Sequence, residues 1–266
     1  MRKFFIITFC VFTFKISAQE ILVYDHQNLW LNQTLTYGIS PQYSLHAEIQ
    51  WRREHWWQHP QQSLIRWGVN RDFGNGLSTS IGHCYVHTSI YGKIPAKAPF
   101  PEHRTWMQLQ QKNVRGRLEM TERIRLEQRF VHSPVKNSIT QQYEAGASIY
   151  SNRIRFLQKI NIALNKKTIE NGSLYLSLWD EFFASFGQNV PINIFDQNRG
   201  FIGLGMQLAP IGRIEIGYLN QLINKGYSVD ATSAEIVNKR EHNHIIAIST
   251  FTTVQRKSKS DKKKEQ

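Results

Sequence analysis

From Tyr43 to Arg52 the apolar side chains Tyr43, Leu45, Ala47, Ile49 and Trp51 alternate strictly with the polar Ser44, His46, Glu48, Gln50 and Arg52. A side-chain period of two is that of a β-strand with one greasy and one polar face. The same alternation runs from Ser173 to Phe186, where only Asp180 falls on the greasy parity. From Leu118 to Phe130, the residues Leu118, Met120, Ile124, Leu126 and Phe130 oppose Glu119, Thr121, Arg123, Arg125, Glu127 and Arg129. Comparable runs cover Leu29 to Tyr37, Ser63 to Phe73, Leu77 to His87, Arg104 to Asn113, Arg153 to Leu164, Arg199 to Leu208, Arg213 to Ile223 and His242 to Phe251. These runs predict about eleven strands and no helix.

The connections alternate in length. Gly38 to Gln42, Gly74 to Gly76, Val114 to Arg117, Asn165 to Gly172 and Pro210 to Gly212 are short or moderate. Arg53 to Gln62, Ile90 to His103, Val131 to Asn152, Gln188 to Gln197 and Lys225 to Glu241 are mostly longer. An up-and-down barrel with tight turns at one rim and longer loops at the other has this rhythm, and a sandwich gives no reason for it. If the short turns are periplasmic, the first strand starts on the outer side, so the chain must cross once beforehand. That requirement predicts a short further strand within Glu20 to Gln27. The expected fold is therefore all-β, a single antiparallel up-and-down transmembrane β-barrel of about 12 strands, with 10 strands and an internal N-terminal segment as the alternative.

The chain opens with Met1-Arg2-Lys3, an apolar run from Phe4 to Phe14, and Ser17-Ala18 before Gln19. A basic start, an apolar stretch too short to span a bilayer and a small residue at the cut predict a signal peptide over residues 1–18. Cys10 leaves with it, so Cys84 has no partner for an intrachain disulfide. Residues 19–254 are then the barrel, and 255–266 a basic, disordered tail. No later segment is apolar enough for a membrane helix, and the mean hydropathy is −0.44. That value does not exclude a barrel, whose strands offer lipid only alternate side chains. The formal charge of +13 invites a nucleic-acid reading, but an exported chain with no nucleic-acid motif argues against one.

Several stretches together carry a resemblance. They are Asp25-His26-Gln27-Asn28-Leu29-Trp30, Leu45 to Arg53, His103-Arg104-Thr105-Trp106, Arg123 to Phe130, Arg153-Ile154-Arg155-Phe156 and Glu215-Ile216-Gly217-Tyr218. In order and spacing the chain resembles the domain of unknown function 2490 family over nearly its whole mature length. The resemblance implies an outer-membrane barrel, and it brings neither an activity nor catalytic residues.

On the strands the polar parity gathers Glu48, Arg52, Arg66, Arg104, Arg123, Arg125, Glu127, Arg129, Arg153, Arg155, Glu181, Arg199 and Glu215 as candidates to line a lumen, joined by Glu119, Lys159 and Arg213. A cation facing lipid at mid-bilayer costs roughly 2–4 kcal/mol, so these side chains are expected to face inward. They form either a charged pathway or ligand cradle, or a ladder of Arg–carboxylate pairs filling a narrow lumen. Cations outnumber carboxylates by about two to one in this set, which makes a small anionic solute a candidate ligand.

Other groups point less sharply. His242 and His244 share a strand face and have the spacing of a metal pair, yet the sequence offers no third ligand nearby, so no metal or cofactor is expected. Trp56-Trp57 suits an interfacial girdle or a carbohydrate or partner contact, and Tyr37, Tyr43, Trp51 and Tyr85 suit the girdle. Gly203 and Gly205, on the inward parity, leave space or permit a bend. Ser80, Ser89, His83 and His87 are hydrolase ingredients without a spacing that selects a set, so no catalytic residue is assigned and the chain is not expected to be an enzyme. The expected location is the outer membrane of a Gram-negative cell, with membrane lipid and the barrel-assembly machinery as partners. The expected role is structural or passive-transport. The alternatives are a lipid-modifying barrel enzyme and a soluble periplasmic carrier whose greasy parity faces inward.

Overall fold

The computed structural model describes residues 21–190, 194–209, 212–229 and 236–255. The expected signal peptide and all of the basic tail except Gln255 lie outside them. The chain order is β1 (Ile21–Gly38), β2 (Tyr43–Glu54), β3 (His59–Gly74), β4 (Leu77–Thr88), β5 (Phe100–Arg115), β6 (Leu118–Val131), β7 (Pro134–Lys136), β8 (Tyr143–Ala145), β9 (Ile149–Ala163), β10 (Leu174–Phe186), β11 (Phe195–Leu208), β12 (Gly212–Val229) and β13 (Ile236–Gln255). All but β7 and β8 form one closed barrel, and those two make a small separate hairpin.

The wall therefore has eleven strands, between the twelve and the ten expected from loop arithmetic. Residues 21–27, read as a separate crossing, prolong β1 instead, and β1 lies parallel to β13 over its full length, Ile21 opposite Asn238 to Gly38 opposite Gln255. Every other neighbouring pair in the wall is antiparallel. An odd number of up-and-down strands brings the first and last to run the same way. Pairing them still satisfies both edges, through a slanted parallel ladder.

Turn chemistry sets the short rim. Asn75 and Gly76 sit at φ 52° and 79°, the left-handed pair that matches a two-residue hairpin turn to strand twist. At the other rim the connector expected from Arg53 to Gln62 tightens to residues 55–58, because β2 and β3 run on further. Residues 89–99 bend over the barrel mouth there: Ser89 N donates to Gln61 O (3.0 Å) and Gly92 N to a Glu54 carboxylate oxygen (3.1 Å). The connection after β6 builds β7 and β8, whose side chains are largely exposed.

Burial settles which parity points where. Ile49, Ile65, Ile81, Met107, Leu109, Ile202, Leu204 and Ile216 are each about half exposed on the outside, whereas the charged parity is buried. Contacts between strands that are not neighbours, such as Lys159 on β9 with Glu215 on β12, place the charged side chains inside. Two apolar clusters also line the interior, one of Trp30, Phe201, Leu219, Ile245 and Ala247 with Trp179 against it, the other of Leu64, Cys84, Val86 and Trp106.

Candidate functional site: the charged interior

Alternation along β6, β9 and β10 drives Arg123, Arg125, Glu127, Arg153, Arg155 and Glu181 into the interior, and register sets them side by side. Glu127 stands opposite Arg153, and Arg125 opposite Arg155. Glu127 accepts from Arg153 (2.5 Å) and Arg155 (2.7 Å), and Glu181 accepts from Arg155 (2.8 Å) and Arg123 (2.6 Å). Arg153 also reaches Asp196 at 2.9 Å. Bidentate guanidinium contacts of this kind are geometrically selective and hold a planar layer together.

Around this layer smaller groups repeat the chemistry. Towards the long-loop rim Glu102 takes both Arg104 (2.7 Å) and Arg129 (2.5 Å), and Lys225 meets the fully buried Glu241 at 3.2 Å. Towards the short-turn rim Arg66 pairs with Glu48, Lys159 with Glu215, and Arg213 and Lys112 share Glu119. Tyr175 completes the Glu215 site by donating its hydroxyl at 3.1 Å.

All thirteen lumen candidates from the sequence thus sit on the inner face, together with Glu119, Lys159 and Arg213. Glu54, Glu102, Asp196 and Glu241 were not foreseen. Each falls in a segment that reads as a long loop, and each becomes inward wall because the strands extend past the regular alternation. They add negative charge, so the excess of cations is smaller than the sequence suggested.

Three interior guanidiniums meet no carboxylate among the described residues. Arg52 donates to Gln50 and Gln62, Arg125 to Gln108, and Arg199 to Gln197. Aromatic faces supply part of what is missing: Arg52 lies 3.9 Å and Arg199 5.1 Å from the Trp30 ring, Arg199 is 4.8 Å from Phe183, and Arg125 is 4.9 Å from Trp106. Cation–π contacts strengthen when water is excluded.

Two cavities flank the central layer and share Trp30, Gln50, Arg66, Arg155 and Arg199 in their walls. The one at the long-loop side, about 350 Å³, is lined by Arg52, Arg104, Arg129, Arg153 and Lys225 against Glu102 and Asp196. Ile94, Pro95 and Ala96 of the bent loop close over it. Burial pushes the Tyr91 phenol in this lid well above its ordinary pKa, and the neighbouring Glu241 adds to the shift. The other cavity, at the short-turn side, measures about 550 Å³ and includes Glu48, Arg123, Lys159 and Glu215.

The remaining sequence candidates separate. Ser80 points inward and is held by Gln108 Nε2, whereas His83 points outward against His103, so the two share no site. Trp51 and Trp57 meet edge to face on the outside at 4.8 Å. The space beside Gly203 and Gly205 is taken by the Phe201 and Tyr175 rings, which a Cβ at either glycine would overlap. Asp180 is on the outside, as its parity required, and accepts from Asn198 Nδ2 at 3.0 Å.

A family model described as a protein of unknown function, DUF2490, matches residues 27–231. No curated protein and no solved structure matches the chain.

Proposed function

The chain belongs to the DUF2490 family, described only as of unknown function, and from its geometry we propose that it is an integral outer-membrane barrel of passive type that is closed across its middle and holds small anions in its long-loop chamber. The observation that carries this reading is the inversion of the wall: a mostly apolar belt outside, interrupted by polar groups such as His83, Glu122 and Asp180, and most of the charge inside. A soluble monomer rarely exposes an apolar patch beyond a few hundred Å². In a bilayer the same belt is covered by acyl chains, and strands of 12–20 residues exceed the roughly 9–11 that a tilted strand needs to cross. Tyr37 and Tyr43 near the short-turn rim, with Trp51, Trp56 and Trp57 near the other, suit the two interfacial girdles. A soluble carrier requires the greasy parity to face inward, opposite to the burial observed.

Closure follows from the Glu127–Arg155–Glu181 layer, which leaves no wide channel between the two cavities. Anion holding follows from Arg52 and Arg199, whose guanidiniums form no direct ion pair among the described residues, in a chamber where cations exceed acids. Fractionation tests the membrane reading: the protein should resist washing from membranes and come out only with detergent. Recovery in the wash of an unextracted periplasm refutes it. The interior is tested with the purified barrel, where phosphate titrated by calorimetry should bind, and bind more weakly in Arg52→Gln and Arg199→Gln.

A further inference from the structure

Asp25 on β1 and His242 and His244 on β13 lie together on the outer face of the wall, beyond the charged interior. The parallel register places Asp25 opposite His242, with His244 one step further along the same face. Asp25 Oδ1 is 2.9 Å from His242 Nδ1 and 3.5 Å from His244 Nε2, and the ligand atoms of all three residues lie within 4.8 Å of one another. The sequence supplied the histidine pair but no third ligand, because Asp25 is more than two hundred residues away. Only the closure of the barrel brings it there.

We infer that these three residues bind a zinc-type divalent transition metal that clasps the first strand to the last. Two imidazoles and one carboxylate are the donor set of open, three-ligand zinc sites, and imidazole selects this class over calcium or magnesium. A second ring of groups stands in place. Tyr218 Oη is 2.6 Å from His244 Nδ1, and the Asn220 carboxamide is 2.5 Å from His242 Nε2. With the metal on His242 Nδ1 and His244 Nε2, the other nitrogen of each ring carries its proton. His244 then donates to Tyr218, and His242 donates to the Asn220 oxygen after a half-turn of that amide. Partners of this kind fix tautomer and ring orientation. The fourth position faces outward for water or an anion. β1 and β13 are joined by no turn, so the metal adds to their ladder and to the Asn28–Asn243 and Asn32–Ser249 side-chain hydrogen bonds a further link between the two strands.

The test uses the full mature barrel without a polyhistidine tag, refolded in detergent, stripped with EDTA and titrated with zinc chloride by calorimetry. The expected result is one zinc per chain. That binding should disappear in the His242→Ala/His244→Ala double variant and weaken about tenfold in Tyr218→Phe. Cobalt in place of zinc should give the visible absorption of a four-coordinate site, absent from the double variant. All variants should keep the gel mobility of the folded barrel, since the altered side chains are partly exposed on the outside. Absence of binding to the parent protein overturns the inference, as does equal binding by the double variant, which would place the metal on other histidines. Because the site lies outside the interior, failure here leaves the anion chamber untouched, and failure of phosphate binding leaves the metal site untouched.

Discussion

Glu181 accepts from two guanidiniums on two different strands, and among the described residues no other carboxylate pairs with Arg123. Changing it to Gln leaves Arg123 and half of Arg155 buried without a counter-charge, a situation that costs about 3–5 kcal/mol. The expected outcome is a fall of that order in urea-unfolding stability in detergent, largely recovered when Arg123, Arg155 and Glu181 are replaced together by apolar residues of similar volume. No recovery would mean that packing, not charge, sets the cost. At Gly205 the reasoning is steric. Tyr175 covers it, so Gly205→Val should displace the ring, break its bond to Glu215 and cost about 1–3 kcal/mol by overpacking, read as a lower unfolding midpoint. At this scale much was legible, because parity alone assigned Glu127, Arg155 and Glu181 to the interior. What parity left out was pairing. Nothing in the spacing of Glu181 and Arg123 says that they meet, since β9 lies between them and only its registers with both bring them together.

Strand β10 displays the face assignment most cleanly. Leu174, Leu176 and Leu178 point out, and Tyr175 and Ser177 point in. Leu176→Arg should lower assembly yield into liposomes and stability by roughly 2–4 kcal/mol, whereas Thr121→Arg, which enters the short-turn cavity, should be milder. Equal effects would reverse the faces. The bent segment 89–99 is the second element with a distinct role. With a single reporter thiol at Thr88→Cys in a Cys84→Ala background, a charged thiol reagent should react slowly. Replacing 90–98 by a short Gly/Ser linker should speed the reaction severalfold, and an unchanged rate would show that this loop is no lid. Strand existence was legible because alternation persists over ten residues or more. Strand ends were not, because Glu54, Glu102 and Glu241 lie where alternation blurs towards the rim, and the ladder continues there regardless.

At the scale of the whole molecule, a wall in which every edge is paired resists cold detergent. Unboiled and boiled samples are expected to run apart on a gel, and identical mobility would contradict closure. The strand number was the feature least available from sequence. Loop arithmetic asks for one more crossing because it takes the short turns as periplasmic and so starts the first strand on the far side, whereas residues 21–27 prolong β1 and its parallel match with β13 closes the wall at eleven strands.

That parallel closure also fixes where the chain can be cut. In a wall of even strand number the two ends meet at one rim, and a short hairpin joins them, so the starting point can be moved around the ring by circular permutation. Here strand β13 ends at Gln255 on the short-turn rim and strand β1 begins at Ile21 on the other, 18 residues of β1 away, or roughly 60 Å at about 3.3 Å per residue. Through the interior, a joining segment would have to displace the Arg–carboxylate pairs of the central layer. Outside, it would lay unpaired backbone along the apolar face, where each unsatisfied group costs several kcal/mol if that face is, as proposed, covered by acyl chains. Permutants opened at Asn75-Gly76 should therefore fail to assemble with a short linker, whereas the same nick left unjoined should be tolerated far better. The order of strands in this protein is a fixed sequence with a beginning and an end, not a ring that can be entered anywhere.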